Sequence, residues 1–311
     1  MFNVKTRSGY GHIQKHKRMQ AAAVVLLAGL LAVIPLLFFT KFKNRAANEK
    51  KDILQVWDAG DFGRVFEISK NALLARPMDY FLLTINGFSA YQLGISQINA
   101  HNTLLFMDEC IKSLRKALLL KESSSDGRVY YVLGKAYSYK GDEYADLAIQ
   151  YLENAVNLSY NAEDISEYLG LAYAAIGDYR GSVEAFSQAL GSTAKTTDAL
   201  LLSIARSYMA LEEFDTARAY LVRCAEISQD SKSVLTARFL LAEIFRKTGD
   251  NDGAENEYYS ILKETGENAE AHYQLGELYN LKGDTTKARS EWRLAYRTDP
   301  AHAKARARLN I

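Results

Sequence analysis

The chain has 311 residues, of which 48% are hydrophobic, 11% aromatic and 24% charged, with 3 prolines. That composition supplies an apolar core and excludes a disordered or collagen-like polymer. Lys and Arg number 38 against 37 Asp and Glu, but residues 1–45 hold eight of the bases and no acid, so 46–311 carries 30 bases and 37 acids, a net of −7. A body so acidic excludes nucleic acid as the expected partner, because phosphate contacts need clustered Lys and Arg.

Residues 1–20 form a basic tail carrying Lys5, Arg7, Lys15, Lys17 and Arg18. From Ala21 to Phe39 no residue is charged. About 20 residues of helix cross a hydrocarbon layer of roughly 30 Å, so residues 21–40 are expected to form a single transmembrane helix. Pro35 is tolerated in such a helix. A cleaved secretory signal is the competing reading, with an apolar stretch of roughly 7–15 residues and a small-residue cleavage site. Here the run is longer and ends in Phe38-Phe39-Thr40-Lys41-Phe42-Lys43 without an A-x-A pattern, which favours an uncleaved anchor. The opposite flank carries Lys41, Lys43, Arg45, Lys50 and Lys51, so the positive-inside count is a tie. Carrying a short tail with five positive charges across an energised membrane is costly. The expectation is tail inside and body outside: a single-pass inner-membrane protein of a bacterium with a periplasmic body, a cytoplasmic body being the alternative.

After a link of six residues, Lys41–Ala46, the sequence repeats itself. Leu275-Gly276-x-x-Tyr279 is followed by Gly283-Asp284, Ala288, Trp292, Ala295 and Pro300. Thirty-four residues upstream stand Leu241-Ala242-x-x-Phe245, Gly249-Asp250, Ala254, Tyr258 and Ile261. Earlier copies begin at Ile204-Ala205-x-x-Tyr208, Leu169-Gly170-x-x-Tyr173 and Leu133-Gly134-x-x-Tyr137. Two weaker units carry Gly60-Asp61-Phe62 with Ala72, and Gly87 with Gly94, Cys110 and Ala117. Each unit has two apolar stripes at helical spacing. Glycine at 60, 94, 141, 177, 249 and 283 is expected to end the first helix, and Asp61, Asp142, Asp178, Asp250 and Asp284 to cap the second.

The pattern resembles the tetratricopeptide repeat (TPR) family. The resemblance implies an all-α, right-handed superhelical solenoid of helix-turn-helix units, since one helix pair cannot bury both of its faces. Seven units starting near 46, 80, 127, 163, 198, 235 and 269 fill residues 46–300, and 301–311 forms a short basic cap. Ile95–Phe106 lengthens the second unit by about eleven residues over the period.

No H-E-x-x-H, G-x-x-x-x-G-K-[ST], G-x-S-x-G or Rossmann glycine cluster occurs, and His12, His16, His101, His272 and His302 are scattered. Cys110 and Cys224 fall on small core positions three repeats apart, beyond the roughly 4.4–6.8 Å Cα separation of a disulfide, and read as buried thiols. Asn157-Leu158-Ser159 fits a glycosylation sequon too short to be specific. An enzyme, a cofactor and a metal are not expected.

In TPR proteins the opposite face of each first helix lines a concave groove. Here that face carries Phe81, Thr84, Phe88, Tyr91, Arg128, Tyr131, Lys135, Tyr139, Glu167, Leu171 and Arg206, then Phe239, Glu243, Arg246, Tyr273 and Glu277. The partner-binding candidates are Phe81, Phe88, Tyr91, Tyr131, Lys135, Tyr139, Arg206, Phe239, Arg246 and Tyr273, because aromatic and basic side chains bury much area in recognition surfaces. Two readings stand open: these residues meet a partner, or the superhelix curls so that they cover one another. Leu54 and Tyr131 sit where the polar clamp of chaperone co-factors would be, which argues against a receptor for heat-shock-protein tails. The expected function is a membrane-anchored protein–protein interaction scaffold of a cell-envelope assembly in secretion, a pilus, a flagellar motor or envelope biogenesis. A client-binding chaperone or import receptor for peptides or amphipathic helices is the alternative. Self-association by stacking at the C-terminal end is a further expectation.

Overall fold

A computed structural model of the chain describes residues 47–120, 126–192 and 196–311. The expected transmembrane helix over 21–40 and the basic tail lie outside the described residues, and within them no helix is long and apolar enough to cross a membrane.

The described residues form helix pairs: α1 (47–58) with α2 (Phe62–Ala75), α3 (Tyr80–Ile95) with α4 (Ala100–Ala117), and α5 (Gly127–Lys140) with α6 (Ala145–Asn157). Then come α7 (Ile165–Ala175) with α8 (Tyr179–Ser192), α9 (Asp198–Ala210) with α10 (Phe214–Ile227), α11 (Ser231–Lys247) with α12 (Asn251–Thr265), and α13 (Ala269–Leu281) with α14 (Thr285–Thr298). A short α15 (Ala303–Leu309) lies against α14. The described part is thus an all-α solenoid in which, from α2 onward, each helix packs on the next.

The turns follow from sequence chemistry. Gly177 and Gly249 take φ of +81 and +82, a left-handed conformation that costs a side-chain-bearing residue more. The next residue caps the second helix: Asp61, Asp178, Asp250 and Asp284 accept from the backbone N–H groups of Arg64, Gly181, Gly253 and Lys287. Two expected turn residues behave otherwise. Asp142 opens a 3-10 turn, Asp142–Tyr144, and α6 starts without a side-chain cap. Gly94 does not end its helix by a left-handed turn; it is buried inside α3, where a Cβ would stand 2.5 Å from Met107 Cε. The inserted residues after it lengthen α4, whose N-terminal half leaves Leu104 and Leu105 exposed, with Ile98 exposed just before it.

Pairing within a unit depends on a residue without side-chain bulk on the first helix. A Cβ on Gly134, Gly170 or Gly276 would come within 2.5, 2.5 and 2.4 Å of Leu152, Phe186 and Trp292 respectively. The resulting core runs as a strip from Ile53 and Val65 to Leu275 and Trp292. Cys110 and Cys224 are buried in it as free thiols, and burial raises both above the usual thiol range.

Candidate functional site

Successive first helices touch one another, α3 with α5, α5 with α7, α7 with α9, and α9 with α11. They therefore make the inner row, and their free faces are the candidate binding surface. That surface divides into a filled half and an open half.

The filled half spans α3 to α7. Lys135 Nζ donates to Tyr131 Oη (3.0 Å) and to Asp164 Oδ2 (2.6 Å), while the Tyr131 hydroxyl donates to Asp164 Oδ1 (2.5 Å). The ammonium also lies 4.6, 5.0 and 5.5 Å from the ring centres of Tyr168, Tyr131 and Tyr91, within reach of a cation–π attraction. Tyr91 meets Tyr139 edge-on, with centroids 6.2 Å apart. Burial raises the phenol pKa of Tyr91, with Tyr168, Tyr139 and Tyr131 adding to it. Burial raises Tyr131 as well, reinforced by its bond to Asp164. These phenols therefore stay protonated and act as donors. Burial, followed by the nearby Asp164, also raises the Glu167 carboxyl.

The open half begins beside Tyr139 at the end of α5 and follows along α7 to α13 as three clefts. The first, about 280 Å³, is lined by Tyr139, Tyr168 and Leu171 among others. The second, about 400 Å³, shares Leu171 and adds Arg206, Met209, Leu240, Glu243 and Lys247. The third, about 630 Å³, shares Glu243 and Lys247 and adds Phe239, Arg246, Glu270 and Gln274. The shared residues make the clefts one trough. Leu171 is 43% exposed, a large apolar side chain without cover. Among the described residues no group of three or more His, Cys, Asp or Glu is placed to hold a metal.

Of the ten residues expected from sequence, Tyr139, Arg206, Phe239 and Arg246 line this trough. Tyr91 and Lys135 are buried, and Tyr131 is half-buried in the same cluster. Phe88 packs half-buried on the core, and Phe81 lies beneath the Lys50 ammonium at 4.7 Å. Tyr273 is covered by His302, at 5.2 Å between ring centres, and by Lys304. Sequence counting missed Tyr168, Asp164, Met209, Leu240 and Lys247. A usable signal existed for one pair: Tyr131 and Asp164 are 33 residues apart, nearly one repeat, so they stand at matching levels of adjacent units.

Tetratricopeptide-repeat family models match residues 202–266 and 269–302. Residues 202–302 carry tetratricopeptide repeats. The C-terminal part of a TPR repeat-containing protein from Cytophaga hutchinsonii is similar, with a TM-score of 0.61 and 16% identity over 82% of this chain and 97% of that one. A tetratricopeptide repeat protein from Parabacteroides merdae gives a TM-score of 0.49 and 15% identity, covering 84% of this chain and 96% of its own. YrrB, described as a TPR protein with an unusual peptide-binding site, gives 0.49 and 21% identity over 65% of this chain and 100% of that one. No curated protein matches the sequence. At 16% identity the Cytophaga hutchinsonii structure speaks to the fold of the repeat array and to nothing further.

Proposed function

We propose that the protein is a membrane-tethered interaction scaffold, whose repeat array holds a protein partner in the trough between α7 and α13. The observation that carries this reading is the continuous trough itself, with Leu171 exposed beside Arg206, Glu243 and Lys247 in one cleft and Arg246 in the next. An exposed apolar residue ringed by polar ones is the ordinary composition of a binding surface. The uncharged run Ala21–Phe39 supports a tether close to the array, and the basic tail supports a body outside the inner membrane, within an envelope assembly.

A photo-crosslinking residue at position 171, compared with one at the exposed outer position Leu74, tests the trough in cells. One stoichiometric adduct through position 171 supports a scaffold. Many weak adducts to unfolded clients would point to a chaperone or import receptor, and equal labelling from both positions would sink the trough as the binding surface. Protease accessibility of a C-terminal tag, before and after the outer barrier is opened, tests placement of the body. Protection until the inner membrane is lysed would reverse the orientation.

A further inference from the structure

The trough is less acidic than the rest of the body: its lining balances Arg206, Arg246 and Lys247 against Asp142, Glu243 and Glu270. Among the described residues neither Arg206 nor Arg246 forms an ion pair with a carboxylate; Arg206 is exposed, and Arg246 donates to the neutral amide oxygen of Gln274 at 2.7 Å. The acids beside them are engaged: Glu243 pairs with Lys247 at 3.2 Å, and Glu270 accepts from Gln274 (2.6 Å) and lies 3.0 Å from His302. Two guanidinium groups without a carboxylate partner therefore lie along the trough: Arg206 beside the apolar floor of Leu171, Met209 and Leu240, and Arg246 in the next cleft, where it also bonds the Tyr258 hydroxyl. The surrounding body, residues 46–311, is net −7. A guanidinium fork fits a carboxylate through two parallel hydrogen bonds.

We propose that the trough from α7 to α13 takes an acidic segment of a partner protein, its carboxylates on Arg206 and Arg246 and a large apolar side chain in the cleft over Leu171, Met209 and Leu240. This rests on the interaction-scaffold reading and narrows it to one ligand chemistry and one half of the groove. The α3–α7 half takes no part in the contact, because Lys135 and its tyrosines already fill it from within.

The test is to pan phage-displayed random dodecapeptides on the full-length protein, held in detergent by a C-terminal tag. The expected pool is rich in Asp and Glu interleaved with Leu, Ile or Phe, and its binding weakens with added salt. Affinity of a recovered peptide should fall about ten-fold or more with Arg206→Glu and Arg246→Glu combined, near 1.4 kcal/mol, in a variant of unchanged helicity. Lys135→Met should leave it unaltered. A basic or neutral pool, or one indifferent to the arginine reversal but lost with Leu171→Asp, overturns the ligand assignment and leaves the scaffold reading standing. An empty pool, or one indifferent also to Leu171→Asp, overturns both.

Discussion

The Lys135 ammonium lies 2.6 Å from Asp164 Oδ2 and so ties the inner face of α5 to the residue that precedes α7. Asp164 stands at the N-cap position, yet its side chain makes no cap bond to its own helix. Its oxygens are taken up instead by Lys135 and Tyr131. A local cap has been exchanged for a clasp between two repeats, and the lysine is thereby removed from the binding surface.

Lys135→Ala should therefore destabilise the protein rather than weaken partner capture. The change empties a cage of three tyrosine rings and leaves Asp164 with Tyr131 alone. Because the Asp164 side chain keeps 38% of its exposure, water compensates in part, and the loss should be about 1–3 kcal/mol, below that of a fully buried pair. Lys135→Met, which retains the stem, should lose less. Urea unfolding of the three proteins checks this, and an alanine variant as stable as the parent would refute the clasp.

Glu167 supplies a pH test beside the same clasp. Burial and then Asp164 raise its carboxyl, with Lys135 opposing. A carboxyl with a raised folded pKa binds its proton more tightly in the folded state. Its stabilising contribution is present below the unfolded value, about 4.3, and is lost as pH rises through the folded value. Glu167→Gln should accordingly raise the melting temperature at neutral pH, and the gain should shrink as pH falls toward about 4. An equal gain at both ends of that range would assign the effect to something other than ionisation.

Between α2, α3 and α4 lies a buried polar knot. Asn86 Nδ2 donates to Ser69 Oγ (3.0 Å) and to the Phe66 carbonyl (3.3 Å), and Ser113 Oγ donates to Asn86 Oδ1 (2.9 Å). Asn86→Ala strands the Ser113 hydroxyl without its acceptor, at an expected cost of about 2–3 kcal/mol. Combining Asn86→Leu with Ser113→Ala removes both partners and should cost less than Asn86→Ala alone. Chemical denaturation of both variants decides it, and a larger loss in the double variant would mean that packing, not hydrogen bonding, governs the site.

How far the sequence could be read divides along a physical line. Contacts within a helix pair depend on residue size at fixed spacing, so the Gly134–Leu152, Gly170–Phe186 and Gly276–Trp292 approaches follow from the repeat pattern. The turn aspartates at 61, 178, 250 and 284 follow from local capping in the same way. Contacts between pairs depend on how one unit is rotated on the next, which no local pattern encodes. Tyr91, Tyr139 and Lys135 share one counted face, yet only Tyr139 reaches the trough, because Tyr168 and Asp164 arrive from the unit after α5 to cover Lys135, and Lys135 and Tyr168 in turn meet Tyr91. Gly94 misled for a related reason: the lengthened α4 brings Met107 against it and turns an expected helix end into a packing site.

The small position of the repeat gives the strongest single-residue test. At Gly276 an added Cβ would stand 2.4 Å from Trp292 Cδ1 and Nε1 and 3.1 Å from the Ala288 carbonyl oxygen. Helix propensity alone would favour Gly276→Ala by about 1 kcal/mol. The overlap works against this, because Trp292 is 6% exposed and is enclosed by the last core cluster. Relief needs α13 and α14 to separate or the indole to leave its place, at about 1–3 kcal/mol. Gly276→Ala should therefore lower the unfolding midpoint. Pairing it with Trp292→Phe should recover part of the loss, since the smaller ring vacates the overlap and removes an indole N–H that has no hydrogen-bond partner. Thermal denaturation followed by circular dichroism at the helical band reads both variants. A Gly276→Ala protein as stable as the parent would show that the two helices of the last pair do not need the close approach.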